Sequence, residues 1–238
     1  MRIRGLLFDK DGTLLDYHAS WMPLNRSVAL AAASGDAALA ERLLVHAGFH
    51  AASGRVRANT PLAAGTPDEI AAAFAEVLGG PVPEGLGAAV DRMFHEGVAG
   101  ISVLVPDAAG ALARMRRQTS YLGIATSDSL AGLRASLAPH GILTQFDFLA
   151  AYDSGHGIKP GPGMALAFCE ACGLRPAEIC VVGDNLHDIH MGRSAGAGMV
   201  IGVLTGTSLA ADLEGHADRV YPGLAEMAAD ADFMAMLA

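Results

Sequence analysis

The 238-residue sequence predicts an α/β fold: a parallel sheet with helices on both faces, interrupted near its start by an inserted block of helices. Three observations carry that prediction. A short apolar run at the amino terminus, Ile3 to Phe8, stops abruptly at carboxylates and reads as a buried strand. Beyond Pro106, helical and strand-like segments alternate, the pattern of a parallel sheet covered by helices. Between these parts, from about Trp21 to Val98, the chain is alanine-rich and helical, punctuated by Gly and Pro.

Taken in order, Ile3–Phe8 is the first strand. The inserted block contains "NRSVALAAASGDAALAERLLVHAGF" and "TPDEIAAAFAEVLGG", both helical in pattern. Thr66-Pro67-Asp68-Glu69 is a helix start, with a Thr cap, Pro in the first turn and acids at the positive end of the helix dipole. Then "DAAGALARMRRQ" reads as helix, "SYLGIAT" as strand, "SLAGLRASLAPHG" as helix and "FDFLAAYD" as strand. They are followed by helix in "GPGMALAFCEACG", strand in "EICVVGD", helix in "NLHDIHMGRSAG" and strand in "GMVIGVLTG", with a shorter strand at Arg219–Tyr221. The first strand belongs to the same sheet. The expected organisation is therefore a Rossmann-like core of residues 1–17 and 99–238, carrying an all-helical cap of residues 18–98.

Composition narrows the function. A hydrophobic fraction of 52% supports a substantial core, and a formal charge of −9 argues against a nucleic-acid surface, which needs a basic stripe. Met1-Arg2-Ile3-Arg4 precedes an apolar run too short for a signal peptide, and stretches such as Val28–Ala33 fall short of a membrane span. The three cysteines make no disulfide framework, and the expected location is the cytoplasm. Of 16 basic residues, only Lys10 and Lys159 are lysine; the ammonium is a compact charge that guanidinium does not replace.

Ligands of a parallel α/β sheet bind beyond the carboxyl ends of its strands. Polar residues stand at three of those ends: Asp9 and Asp11, Thr126 with Ser127, and Gly183-Asp184. Lys159 enters from the loop after the strand that ends near Tyr152. Strand alternation places Asp9 and Asp11 on one side and Lys10 on the other, and Gly12 permits a tight backbone approach. One Asp-x-Asp-Gly by itself is usually a turn with a helix cap, but here it stands with three further elements at the appropriate strand ends.

The ensemble resembles the haloacid dehalogenase superfamily of aspartate-dependent phosphotransferases, over nearly the whole chain. Its first motif stands as Asp9-Lys10-Asp11-Gly12-Thr13, its second as Thr126 in "LGIATSDS", its third as Lys159-Pro160 in "GIKPGP", and its fourth as Gly183, Asp184 and Asp188 in "VVGDNLHD". The resemblance implies that Asp9 is the nucleophile toward phosphorus and Asp11 the general acid and base. It also implies that Asp9, Asp184 and the main-chain carbonyl of Asp11 hold Mg²⁺, a hard ion that prefers oxygen ligands. Thr126 and the amide after it would bind phosphoryl oxygens, and Lys159 would neutralise the repelling carboxylate and phosphoryl group. Asp188 would support the metal site or position Lys159, with Asn185 and Ser127 as further supporting residues.

The implied function is hydrolysis of a small phosphorylated metabolite, phosphoglycolate-like in cap position and size, by an enzyme acting without nucleic acid or membrane. Asp11 speaks against dehalogenation, since dehalogenases of the superfamily lack the second acid. A phosphosugar mutase is the enzymatic rival, although Thr13 stands where those enzymes commonly carry Val; a non-catalytic phosphate-binding protein is the rival from another class. In the cap, Arg55 and Arg57 of "SGRVRAN" would share one face if extended and could clamp a substrate carboxylate; a solvated pair is the bland alternative. Cys169 and Cys172 lie within a helix and read as core, and His46 and His50 fail the zinc-protease pattern. His187 and His190 read as exposed or supporting residues near the metal, and no feature of the sequence sets the oligomeric state.

Overall fold

The structure is a computed structural model that describes residues 2–81, 83–98 and 100–237. The element order is β1 (Gly5–Phe8), α1 (Tyr17–Ala32), α2 (Ala37–His46), β2 (Phe49–His50), β3 (Arg55–Val56), α3 (Pro61–Ala64), α4 (Pro67–Leu78) and α5 (Leu86–Val98). It continues with α6 (Ala108–Arg116), β4 (Tyr121–Ala125), α7 (Leu130–Leu137), β5 (Phe148–Ala150), α8 (Gly163–Cys172), β6 (Ile179–Gly183), α9 (Leu186–Ala195) and β7 (Met199–Val203). Four short elements close the chain: α10 (Ala210–Leu213), β8 (Arg219–Tyr221), α11 (Leu224–Met227) and α12 (Ala231–Met234).

Six strands form one parallel sheet in the order β5-β4-β1-β6-β7-β8. All four residues of β1 are buried, as a central parallel strand requires. Alternation divides them between two cores. Leu6 and Phe8 pack on one face with Leu112 of α6, Leu133 of α7 and Phe233 of α12; Leu7 packs on the other with Phe168 of α8 and Ile189 of α9. Burying each such side chain stabilises by about 1.5–3 kcal/mol, so the amino-terminal strand is tied down from both sides.

Register then positions the site. Phe8 lies opposite Ile124 of β4 and Val182 of β6. Asp9, Thr126 and Asp184 therefore leave their strands at nearly one level, in the crevice where the chain order reverses about β1.

The inserted segment has its own core, including Trp21, Leu43, Phe74, Val90 and Phe94. Helix α4 begins as its sequence predicts. Thr66 Oγ1 accepts from the Glu69 amide (3.4 Å), Glu69 Oε2 accepts from the Thr66 amide (2.7 Å), and Pro67 fills the first turn. The two chain crossings between insert and sheet lie side by side: Asp16 N–H donates to Val103 O (2.8 Å) and Val105 N–H to Leu14 O (3.0 Å).

The insert departs from an all-helical reading in one place. Phe49 and His50 pair antiparallel with Val56 and Arg55 in a two-stranded hairpin. Its strands are two residues long, too short to show a period in sequence, and they are specified instead by the buried pair Phe49–Val56 and by Gly48 and Gly54 at positive φ (125° and 68°). Among the described residues no helix is long and apolar enough to cross a membrane.

Candidate active site

The carboxyl ends of β1, β4 and β6 and the loop before α8 enclose a cavity roofed by the insert. Its floor gathers Asp9, Asp11, Thr126, Ser127, Lys159, Asp184, Asn185 and Asp188, the residues that the motifs single out.

Asp9 is buried, and its two oxygens differ. Oδ1 accepts from Lys159 Nζ at 2.6 Å, while Oδ2 has no hydrogen-bond partner. The same ammonium donates to Asp188 Oδ1 at 2.6 Å, so Lys159 bridges two carboxylates. Burial alone would lower the Lys159 pKa, but Asp188 and Asp9 outweigh it and hold the pKa above its ordinary value.

Asp188 is itself locked. Asn185 caps α9 with its side chain, and Asp188 Oδ2 accepts from the Asn185 amide at 3.1 Å, a reciprocal cap that aims the other Asp188 oxygen at Lys159. Burial raises the Asp188 pKa to about 6, with Asp9 adding to the rise and Lys159 opposing it.

Asp184 accepts from the Thr207 amide (2.7 Å) and hydroxyl (3.2 Å). Burial, then the charges of Asp9 and Asp188, push its pKa well up. Glycines make room for it: a Cβ on Gly206 would lie 1.9 Å from Asp184 Oδ2, and one on Gly12, where φ is 95°, would lie 2.7 Å from Asp184 Cγ. Oxygens of Asp9, Asp184 and Asp188 lie within 4.8 Å of one another. Three converging carboxylates, one with an unpartnered buried oxygen, form an all-oxygen donor set that suits a hard divalent cation. The Asp11 side chain is not in this cluster.

Asp11 faces a different set of partners. Its Oδ1 accepts from Trp21 Nε1 at 2.5 Å and from Lys10 Nζ at 2.9 Å, and Oδ2 lies 2.7 Å from the same ammonium. Lys10 also reaches Asp128 Oδ2 at 2.8 Å and lies 4.8 Å from the centre of the Trp21 ring. Asp9 and Asp11 line the cavity and Lys10 does not, yet the long Lys10 side chain still brings its ammonium to the Asp11 carboxylate. Burial raises the Asp11 pKa to about 6, with Lys10 opposing and Asp128 and Asp9 reinforcing the rise.

Thr126 is fully buried; its amide donates to Ala150 O (3.0 Å), and its hydroxyl accepts from the Asp128 amide (3.1 Å). Ser127 stands half-buried at the cavity wall. The cap of α7 is Ser129, whose side chain accepts from the Gly132 amide.

From the insert come residues that the motifs do not announce. Tyr17, Trp21 and Asn25 project from one face of α1, while Ile70 of α4 and Phe94 of α5 complete an apolar roof. Asn25 Nδ2 donates to the Tyr17 hydroxyl at 3.2 Å, and that hydroxyl donates to Leu62 O. His187 lines the wall half-buried, its pKa lowered by burial, whereas His190 is exposed. Cys169, Cys172 and Cys180 are buried and free, as core residues.

Arg55 and Arg57 do not reach the cavity. Both are exposed, and Arg55 Nη2 donates to Gly206 O at 3.2 Å, joining insert to sheet domain. They do share a face, but the buried Val56 between them takes the inward one.

Residues 3–196 match the family model described as haloacid dehalogenase-like hydrolase. This chain belongs to that family. It is 26% identical over 196 residues to an N-acetylmuramic acid 6-phosphate phosphatase of Pseudomonas aeruginosa, which covers 82% of this chain and 80% of the relative. A phosphoglycolate phosphatase of Haemophilus influenzae is 27% identical over 107 residues, 45% of this chain and 48% of that one. Among solved structures, a hydrolase from Pseudomonas syringae superposes with a TM-score of 0.70 at 19% identity, covering 96% of this chain and 98% of that one, which shows the shared fold.

Proposed function

We propose that this haloacid dehalogenase-like hydrolase is a Mg²⁺-dependent phosphatase that cleaves small phosphomonoesters through an aspartyl-phosphate on Asp9. In this reading residues 1–17 and 99–238 form the catalytic core, and residues 18–98 form a cap over it. The phosphatase class is supported by the family match and by relatives named as phosphatases. The observation that carries the chemistry is the asymmetry of Asp9: one oxygen is held by Lys159, and the other is buried in the cavity wall without a partner.

Asp9 Oδ2 attacks phosphorus in line with the departing alcohol, and the P–O bond to that alcohol breaks. Asp11 gives its proton to the leaving oxygen; burial, which raises its pKa to about 6, keeps a protonated fraction available near neutrality. Asp11 then takes a proton from water, whose oxygen attacks the aspartyl-phosphate, releases inorganic phosphate and restores Asp9. Lys159 holds Asp9 in place and offsets the negative charge that gathers as carboxylate and phosphoryl group meet. Thr126 and the backbone after it would bind phosphoryl oxygens. Mg²⁺ would be held by Asp9, Asp184 and the Asp11 carbonyl, with Asp188 beside them, and would supply charge neutralisation on the phosphoryl oxygens.

The test is hydrolysis of p-nitrophenyl phosphate. The Asp9→Asn protein should fold normally, lose about 10³-fold or more of its turnover, and fail to trap phosphate on the protein. Chelation should silence the unaltered enzyme, and Mg²⁺ should restore it. Comparable turnover by a folded Asp9→Asn protein would overturn the covalent mechanism.

A further inference from the structure

The phosphate end of a substrate is provided for, and the alcohol end is described by what surrounds it. Among the described residues lining the cavity there are five aspartates, one lysine and no arginine. That lysine, Lys159, is already committed to Asp9 and Asp188. The other buried ammonium, Lys10, is shared between Asp11 and Asp128. The roof over the position of a leaving alcohol is made by Trp21, Leu62, Pro67, Ile70 and Phe94.

The neighbouring surface carries the same sign of charge. A second, shallower cavity adjoins the first and shares Gly65 and His187 with it. Its charged side chains are Glu69, Glu76 and His46, again without lysine or arginine among the described lining residues. His46 is spent on Glu76 at 2.7 Å, and Glu69 accepts from the Thr66 amide. Arg55 and Arg57 are exposed and line neither cavity, and Arg55 spends a guanidinium N–H on Gly206 O.

An anion placed in such surroundings loses its water and meets carboxylates with no cation in exchange. Like-charge contacts in partly desolvated sites select against the wrong partner. From this we infer, building on the phosphatase reading above, that the preferred substrates are phosphomonoesters whose alcohol is uncharged and has an apolar face, and that a second anionic group on the alcohol is selected against. Phosphate is accepted because Lys159 and a metal would meet it; a carboxylate further along the substrate meets Asp11, Asp128 and the neighbouring Glu69 and Glu76. The inference separates this chain from relatives named for N-acetylmuramic acid 6-phosphate and for phosphoglycolate, whose substrates each carry an acid besides the phosphate.

The experiment compares matched aryl esters on the Mg²⁺-loaded, unaltered enzyme: 4-methylphenyl phosphate against 4-carboxyphenyl phosphate, with p-nitrophenyl phosphate as the measure of phosphatase activity. The expected result is a kcat/KM at least tenfold higher for the methyl ester, with the difference also visible between ethylene glycol monophosphate and 2-phosphoglycolate. Turnover of p-nitrophenyl phosphate with equal or better use of the carboxylated esters would overturn the inference and leave the phosphatase reading standing. Absence of p-nitrophenyl phosphate turnover would strike the phosphatase reading itself, and this inference with it.

Discussion

Lys10 and Lys159 are the two lysines of the chain, and they occupy closely similar electrostatic settings, each between two buried or half-buried aspartates. Each ammonium is buried, with side-chain exposures of 0% and 2%, and each bridges two aspartates at 2.6–2.8 Å. For both, burial opposes the charge and the flanking carboxylates prevail, so both pKa values lie above the ordinary lysine value. The difference is in what the carboxylates do. Lys159 lines the cavity and touches Asp9 and Asp188 of the acidic cluster. Lys10 sits behind the cavity wall against Asp11, Asp128 and the Trp21 ring. In the proposed mechanism, one lysine would compensate charge where phosphorus reacts, and the other would hold the acid in orientation and ionisation.

The largest effect that separates them should come from Lys159. Lys159→Met removes the cation that faces Asp9 and the phosphoryl group, and turnover should fall about 10²–10³-fold. Lys159→Arg should not restore it, because a planar fork cannot occupy a point-charge position 2.6 Å from two separate carboxylates. Steady-state kinetics on p-nitrophenyl phosphate measures both, and near-normal Lys159→Arg activity would mean that charge alone suffices there.

Lys10→Met should be milder for catalysis and harder on the fold. Asp11 and Asp128 would be left buried without their shared cation, at a cost of about 3 kcal/mol in denaturant unfolding. Turnover should drop about tenfold, short of the ~10²–10⁴ contributed by a general acid, since Asp11 itself remains. The pH profile carries the diagnostic sign. Lys10 opposes the rise of the Asp11 pKa to about 6, so its removal lets that pKa climb further. An acid must be protonated to act, so the alkaline limb of kcat/KM should move to higher pH. The Lys159 variants should leave that limb in place, because their ammonium contacts Asp9 and Asp188 instead. A Lys10→Met limb that stays put, or moves down, would dissociate Lys10 from the acid.

The same pair shows which parts of the site can be read from sequence. Asp9, Thr126 and Asp184 are legible because parallel register brings strand ends to one level, and Asp188 because it falls one helical turn beyond Asp184. Lys159 is legible as one of two lysines among sixteen basic residues. The ion pairs of Lys10 with Asp11 and Asp128 are not legible, because they depend on how a long side chain folds beyond the strand end and on a residue far along the chain. Tyr17, Trp21 and Asn25 escape notice although their spacing of four puts them on one face of α1; polar-tipped side chains at that period in an alanine-rich helix are the signal that could have found them. That Arg55 and Arg57 stay exposed while Val56 is buried depends on Val56 pairing with Phe49, a contact that no local pattern encodes.

Trp21→Phe is the finest cut between the two lysine sites, and its effect should be the smallest. The indole N–H donates to Asp11 Oδ1 at 2.5 Å from the insert side, so it supports the same carboxylate oxygen as Lys10. Phe keeps an aromatic ring against Phe94, 5.1 Å away, and removes the donor and part of the ring over the ammonium. The expected loss in kcat/KM is no more than about tenfold, equivalent to about 1.4 kcal/mol. A donor to the ionised form stabilises that form, so its loss should move the alkaline limb upward, in the direction of Lys10→Met but by less. The double variant tests whether the two act on one group: if both work through Asp11, the limb shifts should combine while Lys159 contacts stay intact. A Trp21→Phe loss exceeding that of Lys10→Met, carried in KM and with an unmoved limb, would instead assign the indole to the substrate's apolar face, and the acid would then be held by Lys10 alone.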